Sequence, residues 1–195
     1  MGRYYLDIET YSKGPKPNPL LDEIITIQFQ QIDAHGEPIG NLQILKGWES
    51  SEEQIVRRFY TRFIQNRGTW DFIPVGFNLN FEFDFFESKI MKYIGRREPS
   101  FYSKPYIDLK HLTILLNNGR FKGSSLRRFS AKQYDGSVIK EYYENKDYAA
   151  IERYIRNEAE AFIDLYRRII KNSEKWRTDL WRTDLARAIS RTIDY

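Results

Sequence analysis

The opening segment Tyr4-Tyr5-Leu6-Asp7-Ile8-Glu9-Thr10 sets two carboxylates, two residues apart, inside an otherwise apolar run. Alternate residues of a strand share a face. A strand over residues 3–9 therefore turns Asp7 and Glu9 to one side and sends Leu6 and Ile8 into a core on the other. Acids held side by side on an apolar strand repel each other and lose hydration unless a cation compensates them. Whatever this chain folds into has to bring something positive, or solvent, to that face.

The following segments read as an antiparallel meander. Ile25, Ile27 and Phe29 alternate with polar neighbours, residues 33–38 (Asp-Ala-His-Gly-Glu-Pro) form a turn cluster, and Leu42–Leu45 read as the returning strand. Ser51 and Gln54 have the spacing of a capping box, opening a helix with the apolar stripe Ile55, Val56, Phe59, Phe63 and Ile64. Residues 72–77 form a short apolar run of buried-strand type, with Pro74 marking its start or an irregularity. Helices are expected over 81–94, over 108–116 with a stop near Asn117-Asn118-Gly119, and in a short piece capped by Ser124 or Ser125. A long helix is expected over 146–171, with Tyr148, Ile151, Ile155, Phe162, Tyr166 and Ile169 on its inner side. Strands followed by alternation with helices imply an α/β layered domain, a central mixed sheet flanked by helices. The expected division is one domain over 1–172 and a helical tail over 173–195. That tail repeats Trp-Arg-Thr-Asp-Leu at 176–180 and 181–185 and then carries Leu185, Ala188, Ile189 and Ile193 at helical spacing. It reads as a last helix docking on the body or as a contact between subunits of a homo-oligomer.

Composition removes several chemistries. With no cysteine and 2 histidines in 195 residues, disulfides, thiolate zinc, iron–sulfur clusters, cysteine catalysis and a histidine-rich metal site are excluded. No apolar run approaches the roughly 18 residues of a membrane span, and the N-terminus lacks a signal-peptide stretch, so a soluble, cytoplasmic protein without a membrane partner is expected. Two Met and no Cys beside 30% charged residues point to a heat-adapted source.

The net charge of +4 is unevenly spread. Residues 92–140 hold eleven Lys and Arg against Glu98, Asp108 and Asp135, a local excess of 11 − 3 = +8. Such a segment is either a solvated face or a track for a phosphate backbone. Arg120-Phe121-Lys122-Gly123-Ser124-Ser125 is the best candidate for the track, because it mixes cations with small residues that let backbone N–H groups approach an anion. Aromatics make up 16% of the chain; most are expected in the core, and some suit stacking on bases.

Two further acidic clusters complete the pattern. In Gly76-Phe77-Asn78-Leu79-Asn80-Phe81-Glu82-Phe83-Asp84-Phe85-Phe86 an apolar strand runs through Asn residues into an aromatic helix carrying Asp84. In Tyr154-Ile155-Arg156-Asn157-Glu158 the first and last residues are four apart and share a helix face. Taken together, these residues resemble the DEDD superfamily of 3′–5′ exonucleases, the proofreading type with a ribonuclease H-like fold. Asp7-Ile8-Glu9-Thr10 is similar to its first motif, Asn80-Phe81-Glu82-Phe83-Asp84 to its second, and Tyr154 to Glu158 to its third. Asp108-Leu109, a helix and the Gly123–Leu126 turn resemble the segment between the second and third motifs. The likeness covers about residues 4 to 170. Two features depart from or divide the family: its last acid is normally Asp and is Glu158 here, and Tyr154 with Arg153 before it matches the Tyr subgroup rather than the His subgroup.

The resemblance implies a stand-alone, metal-dependent 3′–5′ exonuclease acting on single-stranded nucleic acid, with DNA favoured over RNA. It implies that Asp7, Glu9, Asp84 and Glu158 hold two Mg²⁺ or Mn²⁺ ions and that Tyr154 orients the attacking water. Thr10 and Asn80 would contact the terminal nucleotide, with Arg120 and Lys122 guiding the strand. The chemistry fits the residue types, since hard divalent ions want oxygen ligands and a pair of them activates water and neutralises phosphoryl charge. Three other readings stay open: a nucleic-acid-binding protein on the same fold with an impaired site, a ribonuclease H-like endonuclease, and a protein whose acids meet by coincidence.

Overall fold

Residues 3–46 fold as a three-stranded antiparallel meander. β1 (Arg3–Tyr11) pairs with β2 (Glu23–Ile32), with Asp7 opposite Gln28 and Ile8 opposite Ile27, and β2 pairs with β3 (Pro38–Lys46). On its other edge β1 takes a parallel partner, β4 (Ile73–Gly76), and β4 takes β5 (Ile107–Asp108), giving the order β3-β2-β1-β4-β5. The acid-bearing strand is thus the middle of a mixed sheet. Pro74 is tolerated inside β4 because β5 pairs only with Val75 and Gly76, which leaves Pro74 a strand neighbour on one side only. The structure is a computed structural model and describes residues 2–98, 100–131 and 136–182.

Two helices cover one face. α1 (Glu52–Phe63) starts where expected, with the Ser51 side chain accepting the Gln54 N–H at 3.2 Å, and α2 (Asn80–Ile94) ends on Gly95 in the left-handed region, φ 75°. Leu6, Ile8, Ile27 and Phe29 meet Ile55, Val56, Phe59, Phe83 and Phe86 there, and Phe59 stacks on Phe86 at 4.3 Å between ring centroids. The other face is covered by α4 (Leu109–Leu116), α5 (Leu126–Phe129), α6 (Val138–Glu144) and α7 (Tyr148–Arg182). Tyr5, Val75, Leu109, Leu126, Phe162 and Tyr166 form its core, with Ile25, Ile139, Ile151 and Ile155 in an adjoining cluster. The alternation of β1 therefore splits as its sequence requires. Leu6 and Ile8 face α1 and α2, while Tyr5 lies under α7, and Asp7 and Glu9 share its side.

Four small elements among the described residues are additional to those expected: a 3₁₀ turn (Gly47–Glu49), α3 (Ser100–Ser103), β5 and α6. Pieces this short carry little periodicity and owe their structure to tertiary packing. Ser125 sits at the N-cap of α5, but its side chain makes no capping bond. α7 runs through residues 172 and 173 without a break and continues to Arg182. The side chains of both Trp-Arg-Thr-Asp-Leu copies, and the apolar positions Leu185 to Ile193 expected to dock or to join subunits, lie outside the described residues. No helix among the described residues is long and apolar enough to cross a membrane.

Candidate active site

β1 and α7 bring three of the expected acids together. One carboxylate oxygen from each of Asp7, Glu9 and Glu158 lies within 4.8 Å of the others. Glu158 reaches the group because α7 crosses the sheet face on which Asp7 and Glu9 stand, anchored by Ile151, Ile155 and Phe162 in the core. Tyr154, one turn earlier on the same helix face, hydrogen-bonds Glu158. Burial, then the charges of Glu9 and Glu158, push the Tyr154 hydroxyl far above its ordinary range, so it keeps its proton. Asp7 is aimed by neighbours on both sides. Its Oδ2 accepts from the Tyr5 hydroxyl at 3.3 Å and from Gln28 Nε2 at 2.9 Å, and the buried Gln28 accepts in turn from Thr26 Oγ1 at 2.9 Å.

The fourth acid is not the one expected. Asp84 is exposed and accepts the Tyr102 hydroxyl, away from the cluster. Glu82 instead lies in the cleft wall, 4% exposed, with Oε2 buried and without a hydrogen-bond partner among the described residues. Two positions along a helix are roughly 200° apart around its axis, so residues 82 and 84 cannot both face β1. The spacing of an Asn followed three and four residues later by Phe and an acid occurs twice here, as Asn80, Phe83, Asp84 and as Asn78, Phe81, Glu82. In the fold it is Glu82, not Asp84, that stands in the cleft wall beside Asp7. Asn80 is likewise exposed at the start of α2, whereas Asn78 lines the cleft.

Asn78 is held by Asp108, which the sequence marks as a helix start and as part of the segment between the second and third motifs. Asp108 caps α4 by accepting the Lys110 N–H at 2.9 Å, and its two oxygens also accept the N–H groups of Asn78 at 2.8 Å and Leu79 at 2.9 Å. Lys110 Nζ donates to Asn78 Oδ1 at 2.5 Å. Asn78 has φ 71°, a left-handed conformation that Asn tolerates better than most residues. The turn also needs Gly76, where an added Cβ would fall 2.8 Å from the Leu6 carbonyl oxygen and 2.5 Å from the Leu79 side chain.

The acids open into a cleft of about 410 Å³ whose walls include Thr10, Pro17, Phe77, Asn78, Ser125 and Arg127. Thr10, expected to contact a terminal nucleotide, is one of these wall residues. Arg120 and Lys122 are exposed on the loop before α5 and do not line the cleft; Arg127, from the same basic segment, does. Lys92 and Lys110 of that segment serve the fold, through Glu52 at 3.4 Å and through Asn78.

Burial first, and the Asp7 carboxylate second, raise the Glu82 carboxyl well above the usual carboxylate range. A carboxyl whose folded pKa exceeds its unfolded one stabilises the fold below the unfolded pKa, and that contribution is lost as pH rises through the folded pKa. Thermal melts in a chelator should therefore show stability falling as pH climbs above the ordinary carboxylate range, with the fall flattened in Glu82→Gln. An identical slope in the variant would contradict this placement. The donor set fits hard divalent cations. Among the described residues every converging group is a carboxylate oxygen, no imidazole takes part, and one buried carboxylate oxygen has no donor; the sequence holds no cysteine.

No protein-family model and no curated protein matches the sequence. Solved structures do match the fold. A family B DNA polymerase from the hyperthermophilic archaeon Pyrobaculum calidifontis superposes with a TM-score of 0.63 at 17% identity, over 87% of this chain and 24% of that one. E. coli exonuclease I in complex with a dT13 oligonucleotide superposes with a TM-score of 0.62 at 11% identity, over 92% of this chain and 43% of that one. The chain thus spans less than half the length of either protein. At these identities the likeness is one of fold, and the ribonuclease H-like α/β class stands.

Proposed function

We propose that this chain is a metal-dependent 3′–5′ exonuclease that hydrolyses phosphodiester bonds at the 3′ end of single-stranded nucleic acid, with DNA favoured over RNA. The observation that carries the reading is the meeting of Asp7, Glu9, Glu82 and Glu158, from three remote segments, beside the hydroxyl of Tyr154 in one cleft. Those four carboxylates would hold two Mg²⁺ or Mn²⁺ ions. Such ions, when bound, activate water and neutralise charge on the phosphoryl oxygens and the leaving oxygen.

The chain's own groups do the rest. Asp7, fixed by Tyr5 and Gln28, faces Glu82 as well as the Glu9–Glu158 pair and so joins the two halves of the acidic set. Tyr154 keeps its proton and holds a water by donating to it or through Glu158. Thr10 and Asn78 stand where a terminal nucleotide would enter, and the Arg127 guanidinium offers a fork suited to phosphate. A Tyr154→Phe variant, which keeps the ring and loses the O–H, should lower kcat about 10²-fold with little change in KM, measured on single-stranded DNA. An unchanged kcat would remove Tyr154 from the reaction and with it the Tyr-subgroup assignment.

The reading is tested with linear single-stranded DNA labelled at either end, and with a circular single strand, in Mn²⁺ and in a chelator. The expected result is immediate release of a mononucleotide from the 3′ label, a descending ladder from the 5′ label, an intact circle, and no reaction without metal. Cleavage of the circle would make the protein an endonuclease. Tight binding without cleavage would favour a binding module, a reading motivated by Glu82 and Glu158 at positions where the resembled superfamily carries Asp.

A further inference from the structure

The loop between α4 and α5 exposes a phenylalanine that the core has every chemical reason to claim. Phe121 is 75% exposed, although most of the other phenylalanines are buried. An isolated exposed apolar side chain is ordinary. This one is not isolated in character or free to wander. Asn117 Nδ2 donates to the carbonyls of Arg120 at 2.8 Å and Lys122 at 3.1 Å, on either side of it. Ser124, 4% exposed, donates through Oγ to the Arg120 carbonyl at 2.6 Å. Gly123 closes the turn at φ 86°, where an added Cβ would meet Arg128 Nη1 at 2.4 Å. The loop is thus fixed by its own polar side chains, and it presents one ring flanked by the exposed cations Arg120 and Lys122.

That ring lies close to the cleft along the chain. Ser125, Leu126 and Arg127 form part of the cleft wall, and four residues of backbone span at most about 14 Å. The surrounding segment carries the chain's main positive excess, which suits a polyanion rather than a neutral or basic partner. We infer that Phe121 is a stacking platform for a base of the single strand upstream of the 3′ end, with Arg120 and Lys122 on the adjoining phosphates. The inference rests on the exonuclease reading and extends it. The acids act on the terminal phosphodiester, and Phe121 grips the strand behind it without regard to sequence, since every base offers a π-face.

The test compares Phe121→Ala with wild type on oligothymidylate and on a dinucleotide too short to reach the loop. Stacking on one base predicts a KM for oligothymidylate raised roughly tenfold, and a preference for oligothymidylate over the dinucleotide, in kcat/KM, that falls by the same factor. Phe121→Trp should keep the wild-type preference, and its fluorescence should be quenched when oligothymidylate is added in chelator, where nothing is cleaved. An unchanged substrate preference in Phe121→Ala, or no quenching in Phe121→Trp, overturns the inference; the first outcome would return the patch to a protein partner. If wild type cleaves neither substrate, the exonuclease reading fails, and the fluorescence titration alone decides whether the ring binds single strands.

Discussion

Asp7→Ala is expected to lower turnover on single-stranded DNA by about 10³-fold or more while leaving the fold intact. Asp7 stands on the central strand, faces Glu82, and shares the carboxylate group with Glu9 and Glu158, so no other single change disrupts the acidic set as widely. The same position explains why the fold should survive. Asp7 is one of the charges that raise the pKa of Tyr5, Tyr154 and Glu82, and removing it relieves that repulsion. Against this, the Tyr5 hydroxyl and Gln28 Nε2 lose an acceptor, which costs about 1–3 kcal/mol. Asp7→Asn keeps an acceptor oxygen at that position and should melt at or above the wild-type temperature in chelator, while remaining as inactive as the alanine variant. Kinetics in Mn²⁺ and melts in chelator measure the two halves separately. An Asp7 variant that is folded and fully active would end the assignment.

Glu82→Gln and Asp84→Asn should differ sharply although they lie two residues apart. The first is expected to reduce kcat by about 10²–10³-fold, because it removes a buried carboxylate oxygen that lacks a partner within the described protein. In chelator it should also raise the melting temperature by about 2–8 °C near neutral pH, the usual exchange of stability for function at a strained site. The second should leave kcat within about twofold, because Asp84 is exposed and bound to Tyr102. The reverse pattern would restore the register centred on Asn80 and Asp84.

Much of this architecture could be read from local pattern. The alternation in β1 and β2, the Ser51 cap and the inward stripe of α7 are short-range signals, and each appears in the fold where its residues put it. Strand period turns Asp7 and Glu9 to one face and helix period turns Tyr154 and Glu158 to another; that the two pairs belong to one site was implied by the resemblance to the DEDD superfamily. The second motif was ambiguous for a physical reason. Phe83, Phe85 and Phe86 are all fully buried, so apolar pattern does not say which side of α2 meets β1. The β4–α2 turn, which Asp108 clamps through Asn78 and Leu79, sets Glu82 rather than Asp84 in the cleft wall. That clamp joins residues about thirty positions apart, a tertiary fact with no local signature. Arg127 was hidden in the same way, as one cation among eleven until α5 set it in the cleft wall.

The most direct measurement is a calorimetric titration of the protein with Mn²⁺, repeated in buffers of different ionisation enthalpy. About two ions per chain are expected, with proton release on binding that grows as pH falls, because burial favours the protonated Glu82 carboxyl, and with loss of both signals in Asp7→Ala. A protein that takes up no Mn²⁺, or takes it up equally well without Asp7, would contradict the metal-site assignment.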